Sequence, residues 1–375
     1  MFESDPPRRQ DTSRWRLPHT LTLLPTYGCT AACHHCCFQS NPTIKHRIPQ
    51  DRLLRYIDEA AQLGTIRLVC FSGGEAFLLG DDLVECVERC AAHGFITRIV
   101  TNGYWATSGK AARRRLEPLI AAGLNEINFS TGDDHVQFVQ LEHVLIGMDT
   151  AIFYGLTVAL MIEETAVRRI SRADVERQAA QFPTLRRALE NNEIQTIESP
   201  WMEFAPDGSK VEQAARRLVH RGNLQLRRPC TSIYSTVVVT PSENLGLCCG
   251  LPREQIPDLN AGNLRTHRMA DLIESTRYDF LKMWLLVDAP EKILAWAASK
   301  DPDIQWENKY AHICDACRAI YSDPRVMGVI TKYYEEKYDE VLFRYALFME
   351  GRKAENQIVA LGFHPTMPLA EERVP

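Results

Sequence analysis

Cys29-Thr30-Ala31-Ala32-Cys33-His34-His35-Cys36 places three cysteines within eight residues, spaced x3 and then x2, directly after the apolar run Leu21-Thr22-Leu23-Leu24. A short loop that returns three thiolates to one point suits a cuboidal iron–sulfur cluster, because thiolate is the soft ligand such clusters take. Three local ligands leave one iron without a protein ligand, and an open position makes a bound metal reactive rather than structural. On spacing, two other readings stay open: a zinc completed by His34 or His35, or three unrelated thiols.

Outward from this loop, strands and helices alternate. Leu21–Leu24 reads as a buried strand, with Pro25 and Gly28 opening the loop. Pro49 to Leu63 reads as an amphipathic helix with Leu53, Leu54, Ile57 and Ala61 on one face and Gly64 as its stop. Further strands are expected at Ile66–Phe71, Phe95–Val100, Ile127–Phe129, Leu156–Ile162 and Ile194–Phe204, with helices between them. Four polar motifs sit at the C-terminal ends of these strands: Ser72-Gly73-Gly74-Glu75, Thr101-Asn102-Gly103, the run Ser130 to His135, and Glu163-Glu164. The βα loops of barrel enzymes converge on the active site at that end. Short connections imply parallel βα units, about six of them. Cys70, Cys86 and Cys90 fall on apolar faces and read as small core residues, and Cys37 reads as packing away from the loop's interior.

The chain has 375 residues, 45% hydrophobic and 24% charged, enough for a barrel-sized domain and a smaller one. A net charge of −5 argues against broad binding to nucleic acid or anionic membranes. No run approaches the roughly 18 apolar residues of a membrane span. Met1 to Arg16 is polar and contains proline, so it lacks the apolar core of a secretory signal. Twelve cysteines in such a chain point to metal or redox chemistry in a reducing cytoplasm.

CxxxCxxC after a first strand, followed one βα unit later by Gly-Gly-Glu, resembles the radical S-adenosylmethionine (SAM) superfamily. The resemblance implies a [4Fe–4S] cluster on Cys29, Cys33 and Cys36 whose open iron chelates SAM. One electron would then cleave the sulfonium and release a 5′-deoxyadenosyl radical that takes a substrate hydrogen. It implies that Gly73, Gly74 and Glu75 hold the methionyl amino end of SAM, and that His35 packs on adenine where the family usually carries an aromatic residue. Asn102 matches the Thr-Asn-Gly turn that the family often carries after its fourth strand. Ser130 matches a serine after the fifth strand that often bonds the SAM ribose or carboxylate. The family often continues that strand as Ser-Leu-Asp-Gly; here the order differs, so Asp133 and His135 are candidates for orienting substrate or moving protons, with a helix-capping loop as the alternative. For one of Glu163 and Glu164 an exposed acidic turn is the expectation.

Beyond residue 205 a break at Ala205–Ser209 leads to a basic helix over about Lys210 to Arg221. Ile233–Val239 and Leu245–Cys248 around the turn Pro241–Asn244 read as a β-hairpin, with Cys230 just before it and Cys248 on its second strand. Cys314-Asp315-Ala316-Cys317 then closes a four-thiolate set. This half resembles the SPASM/twitch extension of the same superfamily. The resemblance implies one auxiliary [4Fe–4S] cluster on Cys230, Cys248, Cys314 and Cys317, with zinc as the alternative occupant. Cys249 is then spare, and a thiol beside such a cluster is a candidate hydrogen-atom donor to a substrate radical. Val326 to Gly362 reads as a helical tail with an aromatic packing face.

The expected architecture is α/β. A flexible arm covers 1–18, a partial (β/α)6 TIM barrel 19–205, a connector helix 206–229, a small β-hairpin/helix twitch-type domain 230–320 and a C-terminal helical tail 321–375. The expected activity is that of a peptide-modifying radical SAM enzyme, forming a crosslink, an epimer or an oxidised side chain. Its partners would be a peptide, a separate leader-recognition protein and a flavodoxin or ferredoxin as one-electron reductant. Dehydrogenation of a small aminocyclitol or sugar, and a non-catalytic iron–sulfur or zinc scaffold, are the alternatives.

Overall fold

The structure, a computed structural model, describes residues 18–164, 166, 170–200, 202–204, 208 and 212–360, the side chains of 352–360 excepted. Strands β1 (Thr20–Leu23), β2 (Leu68–Phe71), β3 (Ile96–Thr101), β4 (Glu126–Thr131), β5 (Thr157–Glu164) and β6 (Gln195–Pro200) lie parallel in chain order. Helices α1 (Gln50–Leu63), α2 (Asp81–Ala92), α3 (Gly109–Ala121) and α4 (Leu141–Phe153) join the first five, and α5 (Arg172–Ala179) with α6 (Pro183–Glu190) joins the last pair. This is the six-unit partial barrel that the alternation predicts. Side chains on a strand alternate faces. Val69, Phe71, Ile99, Ile127, Phe129, Leu160 and Ile162 are buried in the core under the helices, whereas Val100, Ser130, Met161 and Glu163 border a cavity on the other side. Asn102 follows β3 and Ser130 lies near the end of β4, each one strand earlier than expected.

The sheet does not stop at β1. Strand β7 (Thr236–Val239) pairs with it in parallel, in register Thr20↔Thr236 to Leu23↔Val239, and β8 (Asn244–Gly246) and β9 (Asn260–Asn263) extend the same sheet antiparallel. The hairpin expected in a separate small domain is thus continuous with the barrel. All four residues of β7 are buried, as a strand covered on both faces must be.

Helix α7 (Met269–Thr276) packs on the barrel core through Met269, Leu272 and Ile273. The following helices build a second core around Trp284, Leu285, Ile293 and Ile320: α8 (Phe280–Val287), α9 (Pro290–Lys300), α10 (Ile313–Ser322), α11 (Pro324–Tyr333) and α12 (Glu335–Ala360). The expected single tail helix is broken between α11 and α12. Its described part lies on α8, with Tyr338 stacked on Phe280 at 5.7 Å.

The connector departs from expectation as well. Over 212–229 the described residues form two short 3-10 turns, Ala215–Arg217 and Leu224–Leu226, in place of a helix. Arg216 and Arg217 both bind the Glu164 carboxylate. Adjacent residues of a helix do not face the same side, so one carboxylate taking both favours an irregular backbone. The expected arm falls almost wholly on residues 1–17, outside those described. No helix among the described residues is long and apolar enough to cross a membrane.

Candidate active site

The loop between β1 and α1 closes on itself through its backbone. Cys29 N donates to Asn41 O (3.1 Å), Cys36 N to Cys33 O (3.2 Å) and Gln39 N to Cys36 O (2.9 Å). Thr26 pins its base, its Oγ1 accepting from Gly28 N at 2.9 Å and donating to His46 O at 2.7 Å. The turn after β2 is zipped to this loop: Gly74 N donates to Thr26 O (2.9 Å) and Glu75 N to Gly28 O (3.0 Å). A Cβ on Gly74 would stand 2.1 Å from the Gly28 carbonyl oxygen, so only glycine permits the approach. The sequence assigns this pair of glycines to a ligand; the structure adds a contact between two loops.

Glu75 is only 1% exposed. Its carboxylate accepts from Phe77 N (3.1 Å), Thr101 Oγ1 (2.9 Å) and Asn102 N (2.9 Å), fastening the β2 turn to the β3 turn. Burial pushes its pKa up to about 7, against three donors that favour the ionised form. Expected to accept from the SAM amine, Glu75 is committed to protein donors, and its neighbours Gly73 and Gly74 form the cavity wall.

That cavity, about 240 Å³, is lined by Cys29, Cys33 and Cys36 together with Gly73, Asn102 and Ser130. Ala31 N donates to Cys29 Sγ at 3.4 Å and Asn102 Nδ2 reaches the same sulfur at 3.6 Å. Burial still pushes the Cys29 thiol up to about 11 and raises Cys33, so a bound cation must displace the protons. Soft donors served by N–H groups at the rim of a cavity fit the cluster that the motif implies. Cys37 also borders the cavity, where packing elsewhere was expected, because the Cys36–Gln39 turn keeps the chain coiled against it.

His35 does not line this wall. Its backbone N–H donates to Asp134 Oδ2 (3.0 Å), its ring meets His34 edge-on at 4.9 Å, and its buried Nδ1 has no hydrogen-bond partner. The aromatic ring on the wall is Phe38, stacked on Tyr27. Opposite the cysteines stand His135 and Glu163, whose Nδ1 and Oε2 are 3.1 Å apart. Glu163, 4% exposed, also accepts from Asp134 N, while Glu164, 2% exposed, takes the two connector arginines. Neither is the exposed acidic turn expected for one of them. Asp133 lies off the wall, its Oδ1 accepting from Ile170 N at 2.9 Å. The strand-end position marks Glu163 in the sequence, but its partners Asp134 and His135 come from the preceding βα unit and leave no local signal.

A second cavity of about 140 Å³ is ringed by Cys230, Cys248, Cys314 and Cys317. A Cβ on Gly250 would stand 3.4 Å from Cys248 Sγ and 3.5 Å from Cys314 Sγ, so this position borders two of the sulfurs at contact distance. Burial, then neighbouring cysteines, push Cys248 up to about 12 and raise Cys314 and Cys317 well above the usual thiol range. Cys230 is raised by burial too. Among the described residues no three His, Cys, Asp or Glu side chains are placed to grip a single metal ion; these four thiols, one buried and three half-buried, border a common void. Cys249 lies outside the ring, exposed, with its Sγ 3.3 Å from Ser232 Oγ.

Residues 23–134 match the Radical SAM superfamily. Over 112 residues the chain is 30% identical to YydG of Bacillus subtilis (strain 168), a protein named for peptide biosynthesis; the match covers 30% of this chain and 35% of that protein's length. At 26% identity over 282 residues it matches the PqqA peptide cyclase of Methylocella silvestris, covering 66% of this chain and 71% of the relative. A solved structure of native anSMEcpe with bound AdoMet and a Cp18Cys peptide aligns over 84% of this chain and 99% of that chain, at 14% identity and a TM-score of 0.49. With its CxxxCxxC thiols gathered at the mouth of a six-unit partial barrel and its matching stretch spanning that loop and the Gly-Gly-Glu turn, this chain carries over residues 23–134 a match to the radical SAM superfamily, whose members work with a [4Fe–4S] cluster and SAM.

Proposed function

We propose that this enzyme cleaves SAM reductively and takes a hydrogen atom from a peptide, as a step in maturing a ribosomally made peptide. The observation that carries the reading is a single cavity wall shared by Cys29, Cys33 and Cys36, the Gly73-Gly74 turn, Asn102, Ser130, and the His135–Glu163 pair. The cluster with SAM supplies, when bound, the 5′-deoxyadenosyl radical, given one electron from a carrier such as flavodoxin or ferredoxin. This chain's residues then divide the remaining tasks. The three thiols hold the cluster, and the backbone of Gly73 and Gly74 with Asn102 and Ser130 holds SAM. Glu163 engages His135 Nδ1 and so fixes the orientation of the imidazole on the cavity wall.

The ring of Cys230, Cys248, Cys314 and Cys317 supports a twitch-type auxiliary [4Fe–4S] cluster, which would accept the electron left on the substrate or relay one outward. A mononuclear zinc wants its sulfurs about 2.3 Å from one ion, whereas these thiols surround a void of about 140 Å³. Cys249, exposed beside that ring, is our candidate for returning a hydrogen atom to a substrate radical. Unaltered product and stereochemistry from Cys249→Ala would remove it from that role. The peptide substrate rests on two relatives named for peptide chemistry, and twelve free cysteines suit a reducing cytoplasm.

The test is anaerobic turnover of the reconstituted enzyme with SAM, dithionite and a short precursor peptide encoded beside it, read by mass spectrometry. A peptide whose mass changes together with 5′-deoxyadenosine formation supports the proposal. Turnover that consumes an aminocyclitol and leaves the peptide untouched would overturn its substrate half.

A further inference from the structure

Three consecutive side chains of the turn Arg253-Glu254-Gln255 run to three parts of the molecule. Arg253 borders the four-cysteine cavity. Its side chain is 6% exposed and packs so closely under β8 that a Cβ on Gly246 would stand 2.5 Å from its Cδ. Glu254 Oε1 accepts from the Arg253 guanidinium and, on the same oxygen, from the Tyr27 hydroxyl at 2.7 Å. Tyr27 lies two residues before Cys29 and stacks on Phe38 of the same loop, centroids 5.2 Å apart and planes at 10°. Gln255 Oε1 accepts from Arg318, beside Cys317 on α10, at 2.9 Å. The residues before the turn divide in the same way, Gly250 lining the second cavity and Leu251 the first.

A guanidinium does not lose its proton inside a protein, so a buried one needs negative charge beside it. Glu254 provides some, but its side chain is 38% exposed and shares the bonding oxygen with Tyr27. Arg253 also borders the cavity that the four cysteines line, where a bound centre would place negative charge. A centre held by four thiolates is anionic overall whether it contains a zinc ion or a [4Fe–4S] cluster.

We propose that Arg253 is the counter-charge of the four-cysteine centre, and that Glu254 and Tyr27 are positioning residues through which that centre acts on the CxxxCxxC loop. This rests on the reading of the four cysteines as a metal site, but not on which metal fills it. With the centre filled, Arg253 divides its attraction between thiolates and Glu254. With it empty, Glu254 alone holds the guanidinium, and the bond it offers Tyr27 changes with that pull.

The test is a double-mutant cycle on the reconstituted protein, read as the midpoint potential of the CxxxCxxC cluster in an EPR-monitored redox titration. The four proteins are wild type, Tyr27→Phe, Cys314→Ala/Cys317→Ala, and their combination. Loss of the four-cysteine centre is expected to shift the potential with Tyr27 present, and to shift it by less than half as much in the Tyr27→Phe background. Equal shifts in both backgrounds would overturn the coupling. The counter-charge is read separately: Arg253→Met is expected to make an auxiliary cluster harder to reduce or, with zinc, to lower zinc retention against a chelator. Arg253→Lys is expected to restore most of either property. Met and Lys variants that behave alike would overturn that part. A metal count made first separates the two levels: a four-cysteine site that binds no metal overturns the functional reading and this inference together. A full count with equal shifts overturns this inference alone.

Discussion

Glu75 shows how a position in the sequence can suggest one contact for a side chain while the fold supplies others. Its position after two glycines suggests a carboxylate offered to an ammonium group; the structure surrounds it with three protein donors and no water-facing side. Its folded pKa of about 7 lies above the usual 4.5, so the folded state holds this proton more tightly than the unfolded state does. The associated stability is complete below about pH 4.5 and is lost as pH rises through 7. Relative to Glu75→Gln, which does not titrate, the wild type should lose about 3 kcal/mol between those limits and change little above them. Thermal melts of the two apo-proteins across pH 4.5–8 measure this directly, and parallel curves would refute it. Glu163 belongs to the substrate side of the cavity. Glu163→Ala removes the carboxylate that His135 Nδ1 and Asp134 N engage, and product per 5′-deoxyadenosine should fall about a hundredfold or more, the usual range for a lost acid–base group. An unchanged ratio would make the pair structural.

At the scale of elements, the turn after β2 and the cluster loop behave as one unit, because Gly74 and Glu75 donate their backbone N–H groups to Thr26 and Gly28. Gly74→Ala puts a methyl where the Gly28 carbonyl stands. It should cost about 1–3 kcal/mol as an overpacked contact, and it should lower iron retention at the first site while sparing the second. Denaturant melts and iron counts after desalting report the two effects. These local features were legible in the sequence. Strand alternation, a stop glycine after α1 and polar motifs at strand ends all follow from neighbouring residues, so six βα units could be read in order. The pairing of β7 with β1 was not legible, since residues more than two hundred positions apart leave no shared periodicity. The burial of Glu163 and Glu164 was hidden for the same reason: Asp134, His135, Arg216 and Arg217 supply their partners from other segments. The helices α7 to α9 went unread, although Phe280–Val287 is almost wholly apolar and is buried at seven of its eight residues.

For the whole molecule, continuity of the sheet from β6 through β1 to β9 is the organising fact. It sets the β7–β8 hairpin, and with it Cys248, beside the strand that feeds the cluster loop. The hairpin and α10 therefore bring the second cysteine site beside the first, and the short segment 250–255 touches both cavities. The central claim is that there are two such sites and that only the first drives SAM cleavage. The most direct measurement is an iron and sulfide count after anaerobic reconstitution of the wild type and of Cys29→Ala/Cys33→Ala/Cys36→Ala, followed by addition of SAM and dithionite. The account predicts about eight irons falling to about four, with 5′-deoxyadenosine made by the wild type alone. About four irons falling to none would contradict the second cluster, and a wild type that binds iron yet never cleaves SAM would contradict the enzyme itself.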